Sequence, residues 1–337
     1  MPELTPRVTP TTPTTPATPA APVRARSRSH VAPRPPDQDP DRSMSPLGAK
    51  LLAEVHLEVL DALGDDAARC LRIERVVVGV FFTGVKLSNG VGGLCATPVK
   101  GIPQAVCCPS SALAMPSPGK LVGRNAVQML DDLYRPQDLR RALAIATLNA
   151  LAETVWQHSG PPAGWEVRSG DAFDALDIAP QHQVVLVGVF PPYLRELRRR
   201  AQPFRVLELD MSTLKAEELL FHVSADQAPR VLAQADIFIT TGTTLVNGTL
   251  DGLLDWLRPG VQAAVVGPTA TLMPGPFARR GVTVVGGTRV TEPDALLDVL
   301  AEGGSGYHFF GRSVERVTLC RMAAKQAGAG PAGCASE

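Results

Sequence analysis

The segment richest in side chains able to do chemistry is Thr240-Thr241-Gly242-Thr243-Thr244-Leu245-Val246-Asn247-Gly248-Thr249. It follows the apolar run DIFI and leads into a helical pattern, so it reads as the passage from a strand end to a helix start. Hydroxyls and unpaired amides at such a place hold polar or anionic ligands. One N-cap at Thr243 or Thr244 would account for one threonine; four threonines and a glycine exceed that need. Thr241, Gly242, Thr243, Thr244 and Asn247 are therefore the first candidate ligand residues. The turn GPTATLMPGPF after the next strand is expected beside them, adding Thr269 and Thr271.

Other residue types carry less. Glu208 and Asp210 close the run FRVLELD, where a ribose-binding carboxylate would sit, although solvated strand-end acids are the plain alternative. The turn after the first strand of that region is Gly188-Val189-Phe190-Pro191-Pro192-Tyr193 in place of G-x-G-x-x-G. Two prolines have no amide to donate to a pyrophosphate, so NAD or FAD in the usual mode is not expected. Lys86 offers a cation to an anionic ligand, or is simply solvated. His308 lies in the glycine-flanked GSGYHFFG, able to fold over a cleft or to stay on the surface. Cys95, Cys107 and Cys108 are soft metal ligands, but no C-x-x-C or H-x-x-x-H spacing occurs, and buried cysteines behaving as small hydrophobes are the simpler account. A transition metal stays open as a cofactor. Neither a Ser-His-Asp order, nor G-x-S-x-G, nor a Walker loop appears. Arg198 to Arg200 complement the end of a helix.

The elements that must position these residues fall into two grammars. LGAKLLAEVHLEVLDAL has helical spacing; IERVVVGVFFTGVKL reads as a strand, SNG as a hairpin turn, and VGGLCATPV as the next strand. GKLVGRNAVQMLDDLY and DLRRALAIATLNALAETVWQ read as two helices. Strands followed by helices suggest a small α+β domain, set at 47–165. From Gly170 onward QVVLVGVF, FRVLELD, DIFITTG, VQAAVVGPT and VTVVGG are bare apolar strands. Helices PYLRELRRRA, APRVLAQA, LVNGTLDGLLDWL and EPDALLDVLAEGG alternate with them. Strands buried on both faces and alternating with helices specify α/β architecture, a doubly wound parallel sheet of Rossmann-like type, set at 166–322.

The 337 residues fit two domains, with 45% apolar and 20% charged residues. The 33 basic and 33 acidic residues balance, so nothing in the charge calls for nucleic acid. The apolar runs fall far short of the ~20 residues that span a bilayer, no leader with a basic head opens the chain, and six cysteines are sparse. A cytoplasmic protein is expected, with a small molecule or metal as partner, no membrane partner, and a homo-oligomer compatible with all of this. Residues 1–46 hold 12 of the 31 prolines and the Arg/Ser stretch RARSRSH, and read as a disordered tail, with Met44 as an alternative start. A short flexible tail is expected at 323–337.

VVVGVFFTGVKL, RALAIATLNAL, ADIFITTGTTLVNGTLDGLL and VVGPTATLMPGPF resemble the DUF4213/DUF364 family of heavy-metal chelation proteins, over residues 48 to 320. The resemblance implies an N-terminal domain like that of enolase, a Rossmann-like C-terminal domain and a cleft between them. It places Asn149 and the TGTT loop near that cleft. The function expected is binding of a small polar or anionic ligand there, with a heavy metal or metal chelate among the candidates. Thr83, Lys86 and Asn149 would face Glu208, Asp210 and the Thr241 to Asn247 loop. The alternative is an enzyme of unassigned class acting on a nucleotide-like or phosphorylated small molecule; a structural subunit of a larger complex is a third reading.

Overall fold

The computed structural model describes residues 50–99, 117–270 and 273–322, all within one compact unit. Both expected tails, Met44, Cys107, Cys108 and Thr271 lie outside the described residues.

Helix α1 (Lys50–Leu63) buries Leu51, Leu52, Val55 and Val59, one face at helical spacing. The short α2 (Asp65–Cys70) follows. Three strands, β1 (Ile73–Val78), β2 (Phe82–Leu87) and β3 (Gly92–Ala96), form an antiparallel meander. The expected single strand over IERVVVGVFFTGVKL is thus two strands. The chain reverses at Gly79, whose amide donates to the Phe82 carbonyl at 3.0 Å. A Cβ there would lie 2.7 Å from the Leu300 carbonyl oxygen, so a glycine is needed at the reversal. The Ser88–Gly90 turn is where the sequence puts it, with Gly90 at φ 83°.

Before the long α3 (Asp138–Ser159), the expected helix over GKLVGRNAVQMLDDLY shrinks to a 3-10 segment, Val127–Tyr134. Gly119 and Gly123 both have positive φ and turn the chain instead. Helix α3 is buried nearly all round and lies against the meander so closely that a Cβ on Gly93 would meet the Ala146 carbonyl oxygen at 2.1 Å.

The remaining strands are β4 (Trp165–Ser169), β5 (Val184–Val187), β6 (Phe204–Leu207), β7 (His222–Val223), β8 (Ile237–Thr241), β9 (Gln262–Val266), β10 (Val282–Val290) and β11 (Val314–Arg321). They make one sheet in the order β4-β11-β10-β9-β8-β5-β6-β7. From β10 to β7 all neighbours are parallel; β11 and β4 add an antiparallel edge. Helices α4 (Pro191–Arg199), α5 (Ala228–Leu232), α6 (Thr243–Val246), α7 (Leu250–Asp255), α8 (Gly275–Arg279), α9 (Pro293–Ala301) and α10 (Gly306–Phe309) complete the described residues. The helix expected over LVNGTLDGLLDWL is two: Asn247 ends α6, and Gly248 at φ 71° turns the chain into α7.

Leu296, Leu297 and Leu300 of α9 are buried with Phe309 of α10 and Leu94 of β3, so α9 and α10 cover the meander. Each such leucine contributes roughly 1.5–3 kcal/mol on burial. The Asn149 amide lies 2.9 Å from the Leu94 carbonyl and 3.3 Å from that of Thr269, which ties α3 to both sheets. Among the described residues, no helix is long and apolar enough to cross a membrane.

Candidate functional site

Strand β5 is the hinge of the parallel sheet. From it the chain runs outward through β6 and β7, then returns across to β8 on the other side. In sheets of this topology ligands bind outside the carboxyl ends of the strands at such a reversal of strand order, here between β5 and β8. Register aligns those ends: Val187 pairs with Leu207 on one side and with Thr240 on the other.

A cavity of about 590 Å³ lies there. It is lined by the carboxyl ends of three strands and the residues that follow them: Val187 and Gly188 at β5, Leu207 to Leu209 at β6, and Thr241 and Thr243 at β8. Residues of α7, Trp256 just beyond it, Lys50 and Arg280 form the walls. The volume falls in the range of about 300–1,000 Å³ typical of sites for small organic ligands.

The threonine loop divides into structural and cavity-facing hydroxyls. Thr240 and Thr244 are buried; the Thr244 hydroxyl donates to the Thr241 carbonyl at 2.7 Å. Gly242 is pressed on the loop after β9, where a Cβ would lie 2.9 Å from Thr269 Cβ. Two of the loop's amides are already used inside the protein. The Gly242 amide donates to the Val266 carbonyl at 2.8 Å, the Thr243 amide to Thr241 Oγ1 at 3.3 Å, and α6 is only four residues long. What remains towards the cavity is polar and uncharged. Thr241 Oγ1 accepts from the Thr243 amide and hydroxyl, which leaves its own hydrogen to donate. Asn247 Oδ1 accepts from Thr249, and the Asn247 side-chain amide NH2 keeps its hydrogens to donate.

Of the strand-end acids, Glu208 lines the cavity and Asp210 does not. Glu208 Oε1 accepts the Asp210 amide at 2.9 Å, while Asp210 caps a short 3-10 turn through the Ser212 amide at 3.0 Å. Pro191 and Pro192 open α4, so the turn after β5 lacks the amides a pyrophosphate uses. Arg280 is held by Asp251 at 3.0 Å and Glu54 at 2.7 Å, so its charge is already matched inside the protein.

The structure does not bring the other candidates to this cavity. The Thr83 hydroxyl is buried against that of Thr97 at 2.9 Å. Lys86 is ion-paired with Glu74 at 2.8 Å and Asp294 at 2.7 Å. Asn149 is the tie described above. Instead of reaching over a cleft, His308 accepts the Ser305 amide at 3.0 Å, as part of the cap of α10. The Cys95 thiol is fully buried, and desolvation pushes it up to about 12, so it stays protonated and is a poor metal ligand. Among the described residues, no three His, Cys, Asp or Glu side chains come together to hold a metal ion. These residues do not fit a protein-ligated metal centre.

Trp256, Leu209, Lys50, Asp251, Asp255 and Arg280 escaped the sequence reading. The Asp251 to Trp256 pattern looks like an ordinary amphipathic helix, and only the Asn247-Gly248 break hinted that it swings round a cavity.

A DUF364 family model matches residues 171–319 and a DUF4213 model matches residues 60–152, both with the description "Putative heavy-metal chelation". The chain belongs to the DUF4213/DUF364 family. Two solved members share the fold. A DUF364 protein of unknown function from Pyrococcus horikoshii superposes with a TM-score of 0.62 at 19% identity, over 80% of this chain and 98% of that one. One from Desulfitobacterium hafniense gives 0.58 at 17% identity, over 79% and 97%. An uncharacterised protein of Methanocaldococcus jannaschii is 27% identical over 177 residues, which are 52% of this chain and 64% of that protein's length. The cavity falls in the DUF364 segment apart from Lys50, which precedes both matched segments.

Proposed function

We propose that this DUF4213/DUF364 protein binds a small polar organic ligand at the carboxyl edge of its parallel sheet. The observation that carries the reading is the cavity of about 590 Å³ at the sheet's switch point. It combines exposed apolar side chains, Leu209 and Trp256, with a few convergent polar groups, Thr241, Asn247 and Glu208. The family description of heavy-metal chelation is accommodated if the metal arrives already complexed by an organic ligand. The described residues supply no donor set of their own for a bare ion.

Gly252 provides the test. It lines the cavity, and a Cβ built on it meets nothing within 4 Å, so a Gly252→Phe side chain is free to fill the space. Small molecules released from natively purified protein are identified by mass spectrometry, and a mixed metabolite library is screened by ligand-detected NMR. Wild type is expected to carry or bind a small organic species that the variant does not. Equal binding by both, or none by either, overturns the reading.

A further inference from the structure

We propose that the ligand of this cavity is of nucleoside type: a flat heteroaromatic ring joined to a sugar with a vicinal diol, and without a pyrophosphate. This rests on the cavity reading above and names the chemistry it serves.

The diol is assigned to Glu208. It is the first residue beyond β6, the second strand outward from the switch point, where a carboxylate meets two sugar hydroxyls in sheets of this topology. Its backbone and side chain are both held in place. The carbonyl lies 3.0 Å from His222 Nε2, and Oε1 accepts the Asp210 amide at 2.9 Å. The second carboxylate oxygen keeps its lone pairs for the cavity. A pair of adjacent hydroxyls is what an anchored carboxylate recognises, since each donates one hydrogen to it.

The ring is assigned to the apolar wall beside that carboxylate. Leu209 is 76% exposed and Trp256 41% exposed, and both border the cavity with Leu253 and Ala228. Large side chains left open at the mouth of a cavity gain most from a flat partner that covers them. The Asn247 side-chain amide NH2 and the Thr241 hydroxyl supply the donors that orient such a ligand.

The same walls argue against phosphates. The amides at 191 and 192 are missing, and the Thr241 methyl sits so close to Gly188 that a Cβ there would lie only 2.8 Å from Thr241 Cγ2. Arg280 is bound by two carboxylates, and Asp255 and Glu208 add negative charge. Among the described lining residues, a dianionic group would meet the carboxylates of Glu208 and Asp255 with Lys50 as the cation not held by carboxylates.

The experiment is calorimetric titration of the full chain with adenosine, 2′-deoxyadenosine, ADP and Zn²⁺ alone, with wild type, Glu208→Gln and Gly252→Phe compared. Adenosine is expected to bind one to one, and Gly252→Phe to abolish it. Loss of one hydrogen bond to a charged group weakens binding at least about tenfold, for 2′-deoxyadenosine and for Glu208→Gln alike. Glu208→Gln should weaken 2′-deoxyadenosine less than it weakens adenosine, because one sugar hydroxyl instead of two meets the side chain, and melting temperatures should match wild type. ADP is expected to bind no tighter than adenosine, and Zn²⁺ alone not at all in the cavity. Equal affinities for the two nucleosides, or tighter binding of ADP, overturn the assignment. Failure of every nucleoside while another molecule still binds wild type and not Gly252→Phe defeats the nucleoside class and leaves the cavity reading standing.

Discussion

Arg280 donates through Nε to Asp251 at 3.0 Å, with Asp251 nearly buried on α7 and Arg280 just past α8. The second carboxylate oxygen of Asp251 accepts the Leu51 amide at 3.2 Å, in the first turn of α1. One acid therefore joins three helices and uses the favourable end of α1 as well. Arg280→Ala strands that acid without its cation. Urea unfolding should show a loss of about 2–3 kcal/mol, between the worth of one charged hydrogen bond and that of a broken buried pair. A loss under 0.5 kcal/mol would show that solvent replaces the guanidinium.

His56 makes stability depend on pH. Its Nδ1 lies 2.8 Å from the Tyr134 hydroxyl, and its Nε2 is buried without a partner. Burial depresses the imidazole below its ordinary 6.5, with Asp131 opposing more weakly. Below about 6.5 the unfolded chain takes up a proton that the folded chain refuses, so acid favours unfolding. Stability should be level above that pH and fall as pH drops towards the folded-state value. His56→Phe should flatten this part of the profile in denaturant titrations at a series of pH values; parallel slopes in the two proteins would rule the histidine out.

Two glycines should respond to alanine in opposite directions. At Gly93 the added methyl meets the Ala146 carbonyl at 2.1 Å and the Ala150 amide at 2.6 Å, both backbone atoms that cannot move aside. Gly93→Ala should cost about 3 kcal/mol or more. Gly252 sits inside α7 with open space around it. Gly252→Ala should raise stability by roughly 0.5–1 kcal/mol by narrowing the unfolded ensemble. Differential scanning calorimetry of both variants gives the two signs directly.

How much of this was legible in the sequence depends on where the information lies. The strands Val184–Val187 and Ile237–Thr241 are covered on both faces, so they appear as unbroken apolar runs. Strand Trp165–Ser169 is an edge with four exposed residues, and His222–Val223 spans only two; neither leaves a pattern to detect. The threonine loop was visible through its composition, but which hydroxyls are already bonded was not. Lys86 shows the limit most clearly: a free lysine in the sequence, it is paired in space with Asp294, 208 residues further on.

The two kinds of threonine in that loop should respond differently to valine. Thr244 is 3% exposed, and its hydroxyl is committed to the Thr241 carbonyl at 2.7 Å, inside the turn that joins β8 to α6. Thr244→Val keeps the shape and loses that bond, leaving the part-buried Thr241 carbonyl with the longer Thr240 hydroxyl contact at 3.5 Å, which should cost about 1 kcal/mol. Ligand affinity should hardly change, because the lost group faces the protein. Thr241 is the reverse case. Its methyl already packs against Gly188 and survives in Thr241→Val, while the hydroxyl facing the cavity is removed. That variant also loses the two exposed bonds that Thr243 donates to Thr241 Oγ1, which water can replace, and should cost at most about 1 kcal/mol. It should bind the cavity's ligand several-fold more weakly, as expected when one hydrogen bond is lost. Unfolding curves and ligand titrations on both single variants give four numbers with a definite pattern. If Thr241→Val binds like wild type, the loop serves the fold alone, and the polar side of the cavity must be sought at Asn247 and Glu208.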